Sequence, residues 1–337
     1  MKCFMNNPLI SVIIPTYNSE NFILETLDGI FQQTYDNFEI IVVDDKSNDS
    51  TYELIKNIND SRIRLYQNEK NIGYVNTLNK LIKLSKGQFI ARNDHDDISL
   101  KKRFELQLKM LLKYPDIIVC GGQIKIFGSR SKKIFYPTEP SDIRAFMLFN
   151  NPIHHPTVMF RASEIKKIGY NVYDPKFIPS EDYHLWSRLS YFSTLRNINK
   201  CILKYRIHSN NYSKVVKSKQ KETTMRIRKK YIKDYLEIDL LEEENLFLNK
   251  LIHNDNFQNY ELNIFKNLCH KLNGKSKTHP DKNSIRGILT YFWIKAFYLS
   301  IIKQKNNNNV ASFFNLKFLS FDLLSKKYLI KKIFSHL

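Results

Sequence analysis

The first 120 residues alternate short apolar runs with stretches whose apolar positions recur at helical spacing. Residues 9–14 (LISVII) and 38–43 (FEIIVV) read as strands buried on both faces. Between them Phe22, Ile23, Leu27, Ile30 and Phe31 lie near a 3.6-residue period, predicting a helix capped by Ser19 and running to about Gln33. The same reading predicts helices over 51–58, 75–84 and, capped by Ser99, 99–113. It predicts strands over 62–66, 88–92 and 117–120. Such alternation points to an α/β domain with a mostly parallel sheet. Ligands of these sheets bind at the carboxyl ends of the strands. Pro15-Thr16-Tyr17-Asn18, Asp44-Asp45 and the acidic residues 94–97 all fall just past strand ends, so they are expected to line one crevice.

Further along, His154-His155 reads as a packed loop before a strand over 157–161, and residues 201–205 are strand-like. After residue 213 the pattern turns helical, with segments at 217–236, 240–252, 259–273, 284–303 and 312–335, and a polar linker at 303–309. We therefore expect an α/β domain over 1–213 and a basic, mainly helical region over 214–337.

Charge sharpens that division. The 337-residue chain is 42% apolar, enough for a packed core in two domains, and carries a net charge of +20. Residues 1–213 hold 29 Lys/Arg against 22 Asp/Glu, whereas residues 214–337 hold 24 against 11. The surplus implies an acidic partner: phosphorylated substrates, an anionic membrane or nucleic acid. Lysines interleave with Tyr291-Phe292-Trp293, Phe297-Tyr298, Phe313-Phe314 and Phe318-Leu319. That pattern suits either peripheral binding to an anionic leaflet or a helical packing subdomain. Cys3, Cys120, Cys201 and Cys269 form no CxxC pair, the run 9–14 is too short for a signal peptide, and no segment reaches 18 uncharged apolar residues. A cytoplasmic protein is expected.

The cluster Arg92-Asn93-Asp94-His95-Asp96-Asp97 crowds three carboxylates into four positions. Such crowding favours a compensating cation, and Mg²⁺ or Mn²⁺ held by carboxylates and substrate phosphates fits it. An acidic turn is the competing structural reading. GxGxxG and GxxxxGK[ST] are both absent, against a dinucleotide-binding oxidoreductase or a P-loop NTPase. Tyr17 offers a face for a flat base and Asp45 an acceptor for a ring N–H, although both also suit a turn or core. In Ser180-Glu181-Asp182, Glu181 suits a helix start, and Asp182, beside a helix with Leu185 and Trp186 on its buried side, can serve as a general base. His208 can complete a metal site as a neutral imidazole, and Arg206 can meet phosphate.

In this order, SVIIPTYN (11–18), VVDDKSNDST (42–51), NIGYVNTLN (71–79), ARNDHDDIS (91–99), HHPTVMFR (154–161), SEDYHLWSRL (180–189) and YRIHSNNYS (205–213) resemble the family 2 glycosyltransferases. The resemblance covers roughly residues 8–213. It implies the GT-A fold, a Rossmann-like sheet flanked by helices, here with a helical C-terminal extension. It also implies an inverting transfer of a sugar from a nucleoside diphosphate donor, UDP foremost, to an acceptor hydroxyl. By position, Pro15, Tyr17 and Asp45 would hold the base with Asn71 nearby, and Asp94 would contact the ribose. Asp96 would bind Mg²⁺ or Mn²⁺, His208 would help the metal or diphosphate, and Asp182 would be the base. Two departures stand out: position 93 is Asn where the family usually has an apolar residue, and position 95 is His where it commonly has a small one. The implied setting is bacterial capsule, O-antigen or exopolysaccharide synthesis, with a lipid-linked or growing saccharide acceptor. Peripheral attachment to the inner membrane face fits, and nucleic acid is not an expected partner. A sugar nucleotidyltransferase is disfavoured because Pro15-Thr16-Tyr17-Asn18 lacks a Gly-rich basic loop. A non-catalytic basic module would scatter Asp94, Asp96 and Asp182.

Overall fold

The computed structural model describes residues 7–129, 131–169, 171–208 and 216–300. The predicted linker at 303–309, the helix at 312–335 and the end of the segment 205–213 lie outside the described residues. The chain divides into two compact units, one of residues 1–138 with 153–215, the other of 139–152 with 216–337.

In the first unit, β1 (Ile10–Thr16), α1 (Ile23–Phe31), β2 (Phe38–Asp44), α2 (Thr51–Lys56), β3 (Ile63–Gln67), α3 (Tyr74–Leu84) and β4 (Phe89–Arg92) follow the predicted alternation. Then come β5 (Ile98–Ser99), α4 (Arg103–Lys113), β6 (Ile117–Gly128) and β7 (Lys132–Ile134). Helix α5 (Pro140–Met147) belongs to the second unit. The first unit resumes with β8 (Met159–Arg161), α6 (Ala162–Lys166), α7 (Glu181–Leu189) and β9 (Thr194–Ile207).

The sheet order is β3-β2-β1-β4-β8-β6-β9-β5, with β7 on β6. The half built from the apolar runs, β3-β2-β1-β4, is parallel. From β8 onward the sheet is mixed, since β8 runs antiparallel to both β4 and β6 while β6 and β9 are parallel. Ile10, Val12 and Ile14 of β1 and Ile40 and Val42 of β2 pack with Ile23, Leu27 and Ile30 of α1 and Phe104, Leu108 and Leu111 of α4 in one apolar cluster. Burial on this scale is the main force holding the sheet to its helices.

Three boundaries differ from expectation, the first because a tertiary contact overrides a local signal and the other two through local backbone geometry. Ser99 does not cap a helix: Ile98 and Ser99 pair with Lys204 and Leu203 of β9, and α4 begins at Arg103. Ser19 gives its carbonyl, not its side chain, to Phe22 and Ile23, and α1 begins at Ile23. His155–Thr157 forms a 3-10 turn rather than a loop, so the strand starts at Met159.

The second unit packs α5 with α8 (Lys217–Leu236), α9 (Glu242–His253), α10 (Asn259–Lys275) and α11 (Lys282–Tyr298). Arg144 of α5 donates twice to Asp281 at the head of α11, at 2.6 and 2.8 Å. Phe149 stacks on Phe292 with centroids 4.0 Å apart. Tyr291, Phe292 and Trp293 are buried, and Lys295 between them and Phe297 is buried too, its Nζ donating to the Ile252 carbonyl. This aromatic run is therefore a packing core, and of the two sequence alternatives the helical subdomain holds here. Phe313-Phe314 and Phe318-Leu319 lie outside the described residues. Among the described residues no helix is long and apolar enough to cross a membrane.

Candidate active site

The parallel register Thr16↔Asp44 sets the ends of β1 and β2 side by side, and Asp45 N–H donates to the Thr16 carbonyl at 2.8 Å. Pro15 is buried at the end of β1, and Tyr17 beyond it is 41% exposed, free to present its ring. Asp45 is buried, and its carboxylate accepts from Asn68 Nδ2 (2.8 Å), Ile72 N–H (2.9 Å) and Gly73 N–H (2.9 Å). It thereby pins the loop that carries exposed Asn71. Gly73 enters α3 with φ +85°, a conformation that favours glycine, and this turns its N–H toward Asp45. A carboxylate has about four acceptor sites, so three loop donors leave Asp45 one for a ligand N–H.

At the end of β4 the acidic loop folds over a buried polar scaffold. Asn93 is fully buried. Its Nδ2 donates to the carbonyls of Asp94 (2.7 Å) and Asp97 (3.2 Å), and its Oδ1 accepts from Ser99 and Arg103. The departure to Asn at position 93 thus has a structural use: the amide braces a turn that an apolar side chain cannot brace. The turn gathers ligand atoms of Asp94, Asp96 and Asp97 within 4.8 Å of one another. Burial and the neighbouring carboxylates raise the pKa of Asp97 well above its ordinary range, with its Oδ2 buried and unpartnered. Burial also raises Asp94, against the opposing pull of Arg92. His208 Nε2 lies 2.9 Å from Asp96 Oδ2, and its ring lies tilted against Phe22 with centroids 4.7 Å apart. The donor set of carboxylates plus one imidazole suits Mg²⁺ or Mn²⁺, and the orphaned Asp97 oxygen is the kind of atom a cation would satisfy.

Arg206 takes a different place from the phosphate contact considered for it. Its Nε donates to the Asp96 carbonyl at 2.9 Å, its Nη2 pairs with Glu25, and its guanidinium lies between the rings of Phe22 and Phe127. It clamps the back of the acidic loop. His95 is half-buried, and its carbonyl accepts from Thr26 Oγ1 at 2.8 Å.

Asp182 sits in the first turn of α7, partly exposed, with Oδ1 accepting from Tyr183 N–H at 2.7 Å. Glu181 beside it is buried, and burial together with Asp182 pushes its pKa up to about 8. Sequence reasoning missed what links α7 to the acidic loop. Arg92, 1% exposed, donates through Nη2 to Asp94 and to the Tyr74 hydroxyl. Tyr74 meets His155 Nδ1 at 3.2 Å, and His155 Nε2 meets the Tyr173 hydroxyl at 2.7 Å. Tyr173 is fully buried and feels the charges of Arg92, Asp182, Glu181 and Asp94. Glu181 of α7 lies 3.7 Å from His155 Nδ1, so this network reaches from the acidic loop to α7. The sequence offered Arg92 next to three acids and His155 within HHP, but no local signal for their burial together.

Residues 11–167 match the family model described as glycosyl transferase family 2. An uncharacterised glycosyltransferase of Haemophilus influenzae is 30% identical over 325 residues, which cover 92% of this chain and 97% of that protein. The Escherichia coli UDP-Glc:alpha-D-GlcNAc-diphosphoundecaprenol beta-1,3-glucosyltransferase WfgD is 30% identical over 213 residues, 62% of this chain and 81% of WfgD. Among solved structures, S. aureus TarS 1-349 in complex with UDP-GlcNAc superposes with a TM-score of 0.59 over 89% of this chain and 93% of that one. Its sequence identity is 18%, so the likeness is one of fold.

Proposed function

We propose that this chain, which belongs to glycosyl transferase family 2, moves a sugar from a nucleoside diphosphate donor to an acceptor hydroxyl with inversion. The observation that carries the reading is the Asp94–Asp96–Asp97 cluster past the end of β4, its ligand atoms within 4.8 Å of one another and His208 2.9 Å from Asp96. Pro15, Tyr17, Asp45 and Asn71 form the edge where a base binds, and UDP is the donor nucleotide we favour. Asp94 meets the ribose. Asp96 and His208 would hold Mn²⁺ or Mg²⁺, which when bound neutralises charge on the departing diphosphate. Asp182, apart from the acidic loop, accepts the proton of the attacking hydroxyl, as a displacement with inversion needs a base on the face opposite the leaving group.

The test is calorimetric. UDP is expected to bind wild type at least tenfold more tightly with Mn²⁺ than without, and Asp96→Ala is expected to remove that difference, since about 1.4 kcal/mol is one decade in affinity. Equal affinities with and without metal in the wild type would overturn the metal assignment. A donor screen by nucleotide-sugar hydrolysis then identifies the sugar.

WfgD acts, by its name, on a diphosphoundecaprenol-linked acceptor, and we extend that class, a lipid-linked saccharide of a bacterial surface polymer, to this chain. Peripheral membrane attachment through the basic region after residue 300 follows from the same reading. Because α11 is buried in the second unit, the informative truncation lies after residue 300. It is expected to lose co-sedimentation with anionic liposomes, and unchanged binding would remove that role from the tail.

A further inference from the structure

Resting on the reading that Asp96 and His208 hold the divalent cation, we propose that Arg206 and Glu25 are positioning residues for that pair. Arg206 grips two consecutive residues of the acidic loop. Its backbone N–H donates to Asp97 Oδ1 at 2.9 Å, and its Nε donates to the Asp96 carbonyl at 2.9 Å. Two residues on, His208 Nε2 meets Asp96 Oδ2 at 2.9 Å. Side chains two apart on an extended strand leave the same face, so the placement of Arg206 carries over to His208. Phe22, at the head of α1, packs against both: the Arg206 guanidinium lies 5.0 Å from its ring centre and the His208 ring 4.7 Å.

A guanidinium is planar and presents its donors in a rigid fork, so fixing one end aims the other. Glu25 of α1 fixes the Nη2 end by an ion pair, and the Phe127 ring lies 4.5 Å from the guanidinium carbon. Held in this way, Nε is aimed at the Asp96 carbonyl. The next residue of α1, Thr26, donates to the His95 carbonyl at 2.8 Å. Helix α1 therefore holds residue 95 directly and residues 96 and 97 through Arg206. The Glu25 side chain is itself 54% exposed. An ion pair in such surroundings adds little to folding stability. What Glu25 adds is direction, and groups that orient metal ligands weigh heavily on metal affinity.

The test is calorimetric, on the full chain, with UDP titrated in the presence and in the absence of Mn²⁺. Glu25→Ala is expected to weaken UDP binding in Mn²⁺ about tenfold. UDP affinity without metal and the melting temperature are expected to stay at their wild-type values. Glu25→Gln, whose amide oxygen still accepts from Nη2, is expected to recover most of the loss. Arg206→Lys keeps the charge, but its single ammonium cannot serve Glu25 and the Asp96 carbonyl in one fixed plane. It is expected to lose at least as much as Glu25→Ala. In a His208→Ala background, Glu25→Ala is expected to add nothing further. A loss of equal size with and without Mn²⁺ in Glu25→Ala overturns the proposal. A wild type that binds UDP equally with and without Mn²⁺ removes the metal reading on which it rests. Metal dependence that His208→Ala abolishes and Glu25→Ala leaves intact overturns the positioning role alone.

Discussion

Two buried arginines flank the acidic loop, and they have opposite surroundings. Arg103, on the inner side, places every nitrogen: Nη1 on Asn93 and Ser99, Nη2 on the carbonyls of Arg92 and Val158, Nε on Gln107. Arg92, on the outer side, is equally buried, yet its Nε and Nη1 have no partner and its remaining nitrogen serves Asp94 and Tyr74. A buried cation with every donor satisfied is scaffold, because its loss orphans all its acceptors. A buried cation left partly unsatisfied is costly to the fold, and its position beside Asp94 and Tyr74 suits a site that acts on charge. The difference separates what holds the loop from what the loop is for.

The largest expected effect lies on α7, whose Glu181 stands 3.7 Å from His155 Nδ1 in the Arg92 network. Asp182→Asn is expected to lower turnover by about 10²–10⁴-fold while leaving UDP affinity nearly intact, measured by steady-state kinetics and calorimetry. Retained turnover would break the link between the network and the chemistry. Next come the arginines themselves. Arg103→Met is expected to cost about 3–5 kcal/mol in denaturant unfolding. Arg92→Met is expected to cost about 1 kcal/mol or less in stability but to weaken UDP binding roughly tenfold. Equal stability losses would erase the contrast.

The smallest effect concerns Glu181. Its folded carboxyl titrates near 8 against an ordinary 4.5, so the folded state keeps a proton that the unfolded chain has released. Stability from this position therefore falls as pH rises from about 4.5 to about 8. Glu181→Gln, which never ionises, is expected to be more stable than wild type above pH 8, with the gap closing below pH 4.5. A pH-independent difference in melting temperature would mean that Glu181 is not buried neutral.

Much of the first unit was legible in the chain. Continuous apolar runs dictated the parallel strands, because strands covered on both faces tolerate few polar positions. The site segments were legible by place, since polar residues just past such runs must fall at the carboxyl edge of the sheet. The roles of Ser99 and Arg206 were not. Ser99 looks like a helix cap until β9, about a hundred residues later, offers it a ladder, and Arg206 looks free until Glu25, Phe22 and Phe127 close on it. Helix α5 carries no mark of belonging with α8 to α11, because its partners Asp281 and Phe292 lie far ahead in the chain.

What the sequence determined by itself was the α/β alternation, the family and the acidic cluster, for these depend on local periodicity and contiguous residues. What only the tertiary structure decided was which charges are buried and which partners they find. Those depend on desolvation and on contacts between distant segments: Arg92 becomes a site residue, and Arg103 a brace, only once the same fold has removed both from water.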